Sequence, residues 1–183
     1  MKILSNILEC NRGVAAVEFA LVLPLLLLLG LGGFEVSRFL LLHQKTDRIA
    51  YTVTDVVTQS TSLSSNQLDQ ILTVASQIML PFSFENEGVI VLSSIYKSGN
   101  NAPTVRWQYK GGGTLVRDSK IGSTNHEATL PLLLTLNDKD NVIISEVYYT
   151  YKPFFGLGVF APVDLYKTVF FKPRLGALTT PPV

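Results

Sequence analysis

The sequence predicts an α+β protein: a long N-terminal helix that begins as a membrane-type segment and continues as a stalk, a second helix, and a small, mostly antiparallel sheet of about four strands. Three observations carry that expectation. A Leu-rich block fills residues 14–34, helical hydrophobic spacing continues to about residue 79, and from Gly88 the period changes to two.

Val14 to Phe34 is 21 residues, and at about 1.5 Å per residue a helix of that length matches a hydrocarbon core of about 30 Å. Later apolar runs such as "TLPLLLTL" and "KPFFGLGVF" are short and broken by Pro or Gly, so one membrane pass is expected. Lys2 and Arg12 ahead of the block favour a cytoplasmic N-terminus, against Arg38, Lys45 and Arg48 behind it. The block runs into Glu35 and Arg38 with no A-x-A-like site, which disfavours an ordinary secretory signal. The expected organisation is a leader at 1–13, a membrane helix at 14–34, a helical stalk at 35–60 and a head at 61–183.

In the stalk, Phe39, Leu42, Ile49, Val53 and Val56 recur at helical spacing, with Arg38, Lys45, Asp47, Arg48 and Asp55 between them. "STSLSS" breaks the pattern. Ser64 and Gln67 then form a capping-box sequence ahead of Leu68, Ile71, Leu72, Ala75, Ile78 and Met79, and this second helix must stop before Pro81. "GVIVLSSIYK" is apolar on both faces and predicts a central strand, joined through "SGNNAP" to "TVRWQYK". There Val105, Trp107 and Tyr109 are expected on a dry face, and Thr104, Arg106, Gln108 and Lys110 on a wet one. "NVIISEVYYTY" and "LYKTVFF" supply the remaining strands.

Composition narrows the function. A formal net charge of +1 gives no electrostatic footprint for nucleic acid. The single cysteine, Cys10, precludes an intrachain disulfide and a thiolate metal cluster, and its place upstream of the apolar block argues against lipid attachment. His43 and His126 belong to no metal-ligand spacing and are expected as surface polar residues, so neither a metal nor a cofactor is expected. Gly111 to Gly113 lack the Gly-Lys-Ser/Thr ending of a phosphate loop and are expected as a flexible turn. Glu127 beside His126, and Asp118 near Lys120, come with no nucleophile motif, so no catalytic residue is assigned. The aromatic stretch "EVYYTYKPFFGLGVF" fits either core with cross-strand pairs or a partner surface.

One residue stands out in the membrane block. Glu18 lies about one turn inside its boundary, where a charge costs about 2.5–3.5 kcal/mol on insertion scales. Either it snorkels to water at headgroup level, or it has a partner. Cleavage after Gly13 would supply one, because Val14 would then carry an α-ammonium at the same depth, available to the Glu18 of a neighbouring subunit.

The stretch "RGVAAVEFALVLPLLLLL" resembles a type IV prepilin processing site, and most of all the TadE/TadG-like proteins, the minor pilins or pseudopilins of the tight-adherence (Flp) pilus machinery. "ATLPLLLTLNDKDNVIISEVYYTYKPFF" and "KTVFFKPRLG" are similar to that family's C-terminal pattern of an "EVxYxYxP" strand and a final "xPR" segment; residues 98–126 have no counterpart in it. The leader "MKILSNILECNRG" is less basic than many pilin leaders. Pro24 removes one helical hydrogen bond and invites a kink, which either helps a subunit leave the bilayer or is simply tolerated.

The resemblance implies a pilin-like fold and cleavage between Gly13 and Val14 by a membrane-embedded prepilin peptidase. It implies anchoring in the bacterial inner membrane, with the head in the periplasm or the subunit incorporated in a surface pilus. The implied partners are the prepilin peptidase, other pilins and pseudopilins, and pilus assembly platform proteins; the role is structural rather than catalytic. Without residues 1–13 the chain has equal numbers of acidic and basic residues and no cysteine, which suits an oxidising periplasm. The alternative is an uncleaved single-pass membrane protein whose outer domain binds an envelope ligand or protein.

Overall fold

The computed structural model describes residues 11–131, 134–155 and 161–183, with side chains from Gly13 onward. Most of the leader, Cys10 included, and residues 156–160 of the aromatic stretch lie outside the described residues.

Helix α1 (Asn11–Thr58) is a single continuous element of 48 residues, about 70 Å long at 1.5 Å per residue. Its two halves face different surroundings. From Val14 to Phe34 the apolar side chains are exposed, Leu21 to 76% and Leu28 to 68%, and the most apolar window is long enough to cross a membrane with none of it buried. From Leu42 to Thr58 one stripe sinks into the head. Leu42, Ile49, Ala50, Val53 and Val57 are fully buried, with Thr46, Thr54 and Thr58 between them. The threonine hydroxyls donate to the carbonyls of Leu42, Ala50 and Thr54 at 2.8, 2.7 and 2.8 Å, which satisfies them inside the helix. Val56, expected on this stripe, is instead 40% exposed and Val57 takes its place. Phe39, Leu42, Ile49 and Val53 lie on the stripe as expected, and it is completed by threonines that a hydrophobic pattern passes over.

Helix α2 (Ser65–Ser76) starts at the anticipated capping box. The Ser64 amide donates to Gln67 Oε1 at 3.0 Å and the Gln67 amide to Ser64 Oγ at 3.3 Å, a cap worth about 1 kcal/mol. Leu68, Leu72 and Ala75 are buried, and a 3₁₀ turn over Gln77–Met79 closes the helix before Pro81.

Four strands follow: β1 (Gly88–Tyr96), β2 (Thr104–Gly111), β3 (Asn141–Tyr151) and β4 (Val163–Phe171). Their order is β2-β1-β3-β4 and each neighbouring pair is antiparallel. The α+β expectation of two helices and an antiparallel four-stranded sheet therefore holds. β1 and β3 are central and buried on both faces, whereas β2 and β4 form the edges. Ile90, Leu92, Trp107, Ile143, Val147, Tyr149, Tyr151 and Leu165 face the helices.

Val105 corrects the simple alternation read for β2. Ser94 pairs with Trp107 and Ile95 with Val105, leaving Arg106 as an extra residue. This bulge turns Val105 to the opposite face, where it packs with Ile95, Ile121 and Ile144.

That opposite face is dry because residues 112–131 and 134–140 cross it as a layer without regular strands or helices. Leu115, Ile121, Ala128, Leu130 and Leu136 supply its inward side chains. The glycine run opens the layer, and it is packed rather than merely flexible. Gly112 has φ +78°, and a Cβ on Gly113 would lie 2.2 Å from the Gly88 carbonyl oxygen, so the chain passes here only without a side chain.

The C-terminal tail then ties the layers together. The Arg174 amide donates to the Thr58 carbonyl at 2.9 Å, and the Leu178 carbonyl accepts from Trp107 Nε1 at 2.8 Å and from Ser94 Oγ at 2.6 Å. The "xPR" segment thus caps the far end of α1 and closes the sheet's helix side.

Candidate functional site

The residues singled out in the sequence, Gly13, Val14, Glu18 and Pro24, all lie on the exposed half of α1. Val14 and Glu18 stand at i and i+4, on one helix face. Val14 is 55% exposed and Phe19 59%, and nothing comes within 4 Å of where a Gly13 Cβ would be. α1 continues through Pro24, which has no amide hydrogen to give the Ala20 carbonyl.

A second cluster, unforeseen in the sequence, fixes the head to the end of this apolar run. Glu35 accepts from the Tyr151 hydroxyl, and from the backbone amides of Phe154 at 3.0 Å and Phe155 at 3.5 Å. Burial works against its charge, but these bonds and the Arg38 guanidinium outweigh that and hold the carboxyl below its ordinary value. Burial and the Glu35 bond push the Tyr151 hydroxyl up to about 12. The Arg38 guanidinium lies over the rings of Phe34, Phe82 and Phe154 at 5.8, 5.3 and 5.2 Å. The cue was the adjacency of Glu35 and Arg38 to the apolar block; the Glu35 partners arrive from residues more than a hundred positions away, and Arg38 adds Phe34, Phe82 and Phe154.

A third group sits under the extended layer. Glu146, on β3, is fully buried. Its Oε1 accepts from the Lys120 amide at 2.9 Å, Tyr148 at 2.9 Å and Tyr166 at 3.0 Å, while Oε2 accepts from Ser119. Lys120 Nζ lies 4.0 Å from the centre of the Tyr166 ring. Desolvation first, and then the Glu146 carboxyl, push both tyrosine hydroxyls well above the ordinary range. These bonds bind the layer to the sheet.

The other candidates are ordinary surface features. His126 is exposed and its Nδ1 sits 3.1 Å from Ser123 Oγ; His43 is half-buried and packs its ring on Phe39 at 5.1 Å. Asp118 is exposed and lies 3.5 Å from Lys110. Among the described residues no group of three or more His, Cys, Asp or Glu is placed to hold a metal ion. The aromatic stretch divides: Tyr148, Tyr149 and Tyr151 are buried in the head, whereas Phe154 is 68% exposed.

Residues 13–55 match the TadE family, described as TadE-like protein. The match covers 43 of the 183 residues and bears out the resemblance read from "RGVAAVEFALVLPLLLLL" over that segment. No curated protein and no solved structure matches the chain.

Proposed function

We propose that this chain, which carries a TadE-like segment at residues 13–55, is a membrane-anchored pseudopilin or minor pilin that takes part in assembling a tight-adherence pilus and catalyses no reaction of its own. The observation that carries the reading is the division of α1. One unbroken helix presents an exposed apolar half bearing Gly13, Val14 and Glu18, and builds its other half into the core of a folded head. A subunit held in a bilayer by one half and handed to an assembly by the other needs this arrangement.

In this reading a prepilin peptidase cuts between Gly13 and Val14 on the cytoplasmic side of the inner membrane, and the head lies in the periplasm. The partners are other pilins and pseudopilins and the assembly platform. Intact-mass measurement of the protein purified from its own cells tests it. The expected mass is that of a chain beginning at Val14, and Gly13→Glu is expected to leave the longer precursor. A chain beginning at Met1 would favour the uncleaved single-pass protein, and one beginning beyond Gly33 would overturn the pilin reading of this end.

A further inference from the structure

The head presents an apolar rim at the level where the exposed half of α1 ends. Glu35 receives the Phe154 amide at 3.0 Å, and the Phe34 and Phe155 rings meet with centroids 5.7 Å apart, so the start of the β3–β4 connection stands at the depth of the last turn of the Leu-rich run. Phe154 is nevertheless 68% exposed, and Leu80, two residues before Phe82, is 61% exposed. Between these rings lies the Arg38 guanidinium, the first cation after the span. Lys152 on the same rim is paired with Glu87 at 2.6 Å.

We propose that Leu80, Phe82 and Phe154, together with Phe34 and Arg38, form a lipid-binding collar that seats the head on the bilayer surface. The occupant is the headgroup and upper acyl layer of the membrane through which α1 passes, and the inference rests on the membrane-spanning reading of residues 14–34. Three features select lipid over another protein surface. The collar is continuous with an exposed apolar helix face, its aromatic side chains stand where aromatic belts form at membrane interfaces, and Arg38 places a phosphate-binding cation on an apolar stem at that same depth. Phe154 then has a reason for its exposure: in water its ring is wasted, whereas at the interface it is solvated by lipid. The head, fixed by Glu35 and by the collar, stands with its β1–β2 hairpin pointing away from the bilayer, since β1 runs from Gly88, beside Tyr149, to Tyr96 at the opposite end, about 30 Å at 3.3 Å per residue.

The test uses the full chain in single-chain nanodiscs of phosphatidylethanolamine and phosphatidylglycerol, carrying nitroxide lipids labelled either near the headgroup or deep in the tail. Three separate variants report: Leu26→Trp in the span, Phe154→Trp in the collar and Asn100→Trp in the β1–β2 hairpin. The native indole, Trp107, is 3% exposed and supplies a constant background. Expected are loss of the Leu26→Trp signal with the deep label, loss of the Phe154→Trp signal with the shallow label, and no loss for Asn100→Trp. A Phe154→Trp signal as unquenched as Asn100→Trp, with Leu26→Trp quenched, overturns the collar and leaves the span intact. An unquenched Leu26→Trp overturns the span and the collar together. If the Phe154→Trp indole becomes shielded only when several chains share a disc, the face belongs to a second copy and the collar is wrong.

Discussion

Glu35 accepts the Phe154 backbone amide at 3.0 Å, and the Tyr151 hydroxyl donates to the same oxygen. One carboxyl on α1 thereby sets the register of the head along the helix. A slip by one turn, about 5.4 Å, would break every bond it makes. The apolar half of α1 is thus held at a fixed distance from the sheet.

Glu35→Gln keeps the shape and removes the charge that strengthens these bonds. The expected loss is about 1 kcal/mol, a fall in Tm of about 2–4 °C for a chain of this size. The wild-type contact also carries a pH signature. Its folded pKa lies below the ordinary 4.5, so its stabilisation is present above that value and is lost as pH falls through the folded pKa. Thermal unfolding of the full chain in detergent, followed from neutral pH into acid, should show wild type and Glu35→Gln converging. Parallel curves would mean that the Glu35 charge does not hold the head to α1.

Glu146 predicts a larger effect. Glu146→Ala takes the acceptor from Ser119 and Tyr166 under the extended layer, and leaves the Lys120 amide and Tyr148 only their second acceptors, the Tyr148 hydroxyl and the Asp118 carbonyl. The expected loss is about 3 kcal/mol, from buried donors left unsatisfied at about 1–3 kcal/mol each, with the Lys120 and Ile121 amides losing protection in hydrogen exchange before the β1 and β3 amides do. Tyr148 and Tyr166 add a prediction on the alkaline side. Their folded pKa values are raised above the ordinary 10, so their contribution is complete below that value and is lost as pH rises through the folded values. Their phenolate absorbance should therefore appear together with unfolding. Simple titration of both hydroxyls near 10, with the head still folded, would contradict the buried network.

Gly113 separates packing from flexibility. A methyl group there meets backbone on two sides, 2.2 Å from the Gly88 oxygen and 2.8 Å from the Phe84 oxygen. Gly113→Ala is expected to cost at least about 2 kcal/mol. Gly99, in the β1–β2 hairpin, has φ +61° and open space around it, so Gly99→Ala should cost only about 1 kcal/mol of backbone strain. Equal melting temperatures for the two variants would return the glycine run to the role of a flexible turn.

What the sequence disclosed and what it hid divide along the range of the interaction. The Ser64–Gln67 cap is local, and it formed where the residues announced it. β1 was legible as an interior strand because both of its faces are apolar, whereas β3, buried on both faces as well, was legible only as a strand. Val105 was misplaced because a bulge depends on the partner strand's register, which no single strand encodes. Val57 was missed because Thr46, Thr54 and Thr58 satisfy their hydroxyls within α1 and so behave as core residues. The layer over residues 112–131 and 134–140 had no periodicity to read; its only marks were the glycines that let it in. Glu35 and Tyr151 are 116 positions apart, and that contact exists only once the strands have assembled.

Glu18 is the residue whose meaning depends on a neighbour. It stands exposed on α1 among apolar side chains, on the same face as Val14. If it snorkels to the headgroups, Glu18→Gln should change little, because the amide is similar in size and cheaper to insert. If cleavage gives Val14 an ammonium and Glu18 pairs with that of an adjacent subunit, the substitution should spare insertion and cleavage, since the peptidase site is set by Gly13 and the flanking backbone. Assembly should fail instead. Removing one partner of a buried charge pair costs about 3–5 kcal/mol, which corresponds to about two to three orders of magnitude in an association constant. The expected result is that cleaved Glu18→Gln protein, at wild-type abundance, no longer co-purifies with its pilus partners. Equal recovery of mutant and wild type would leave Glu18 as a headgroup-level residue and remove charge pairing from the assembly mechanism.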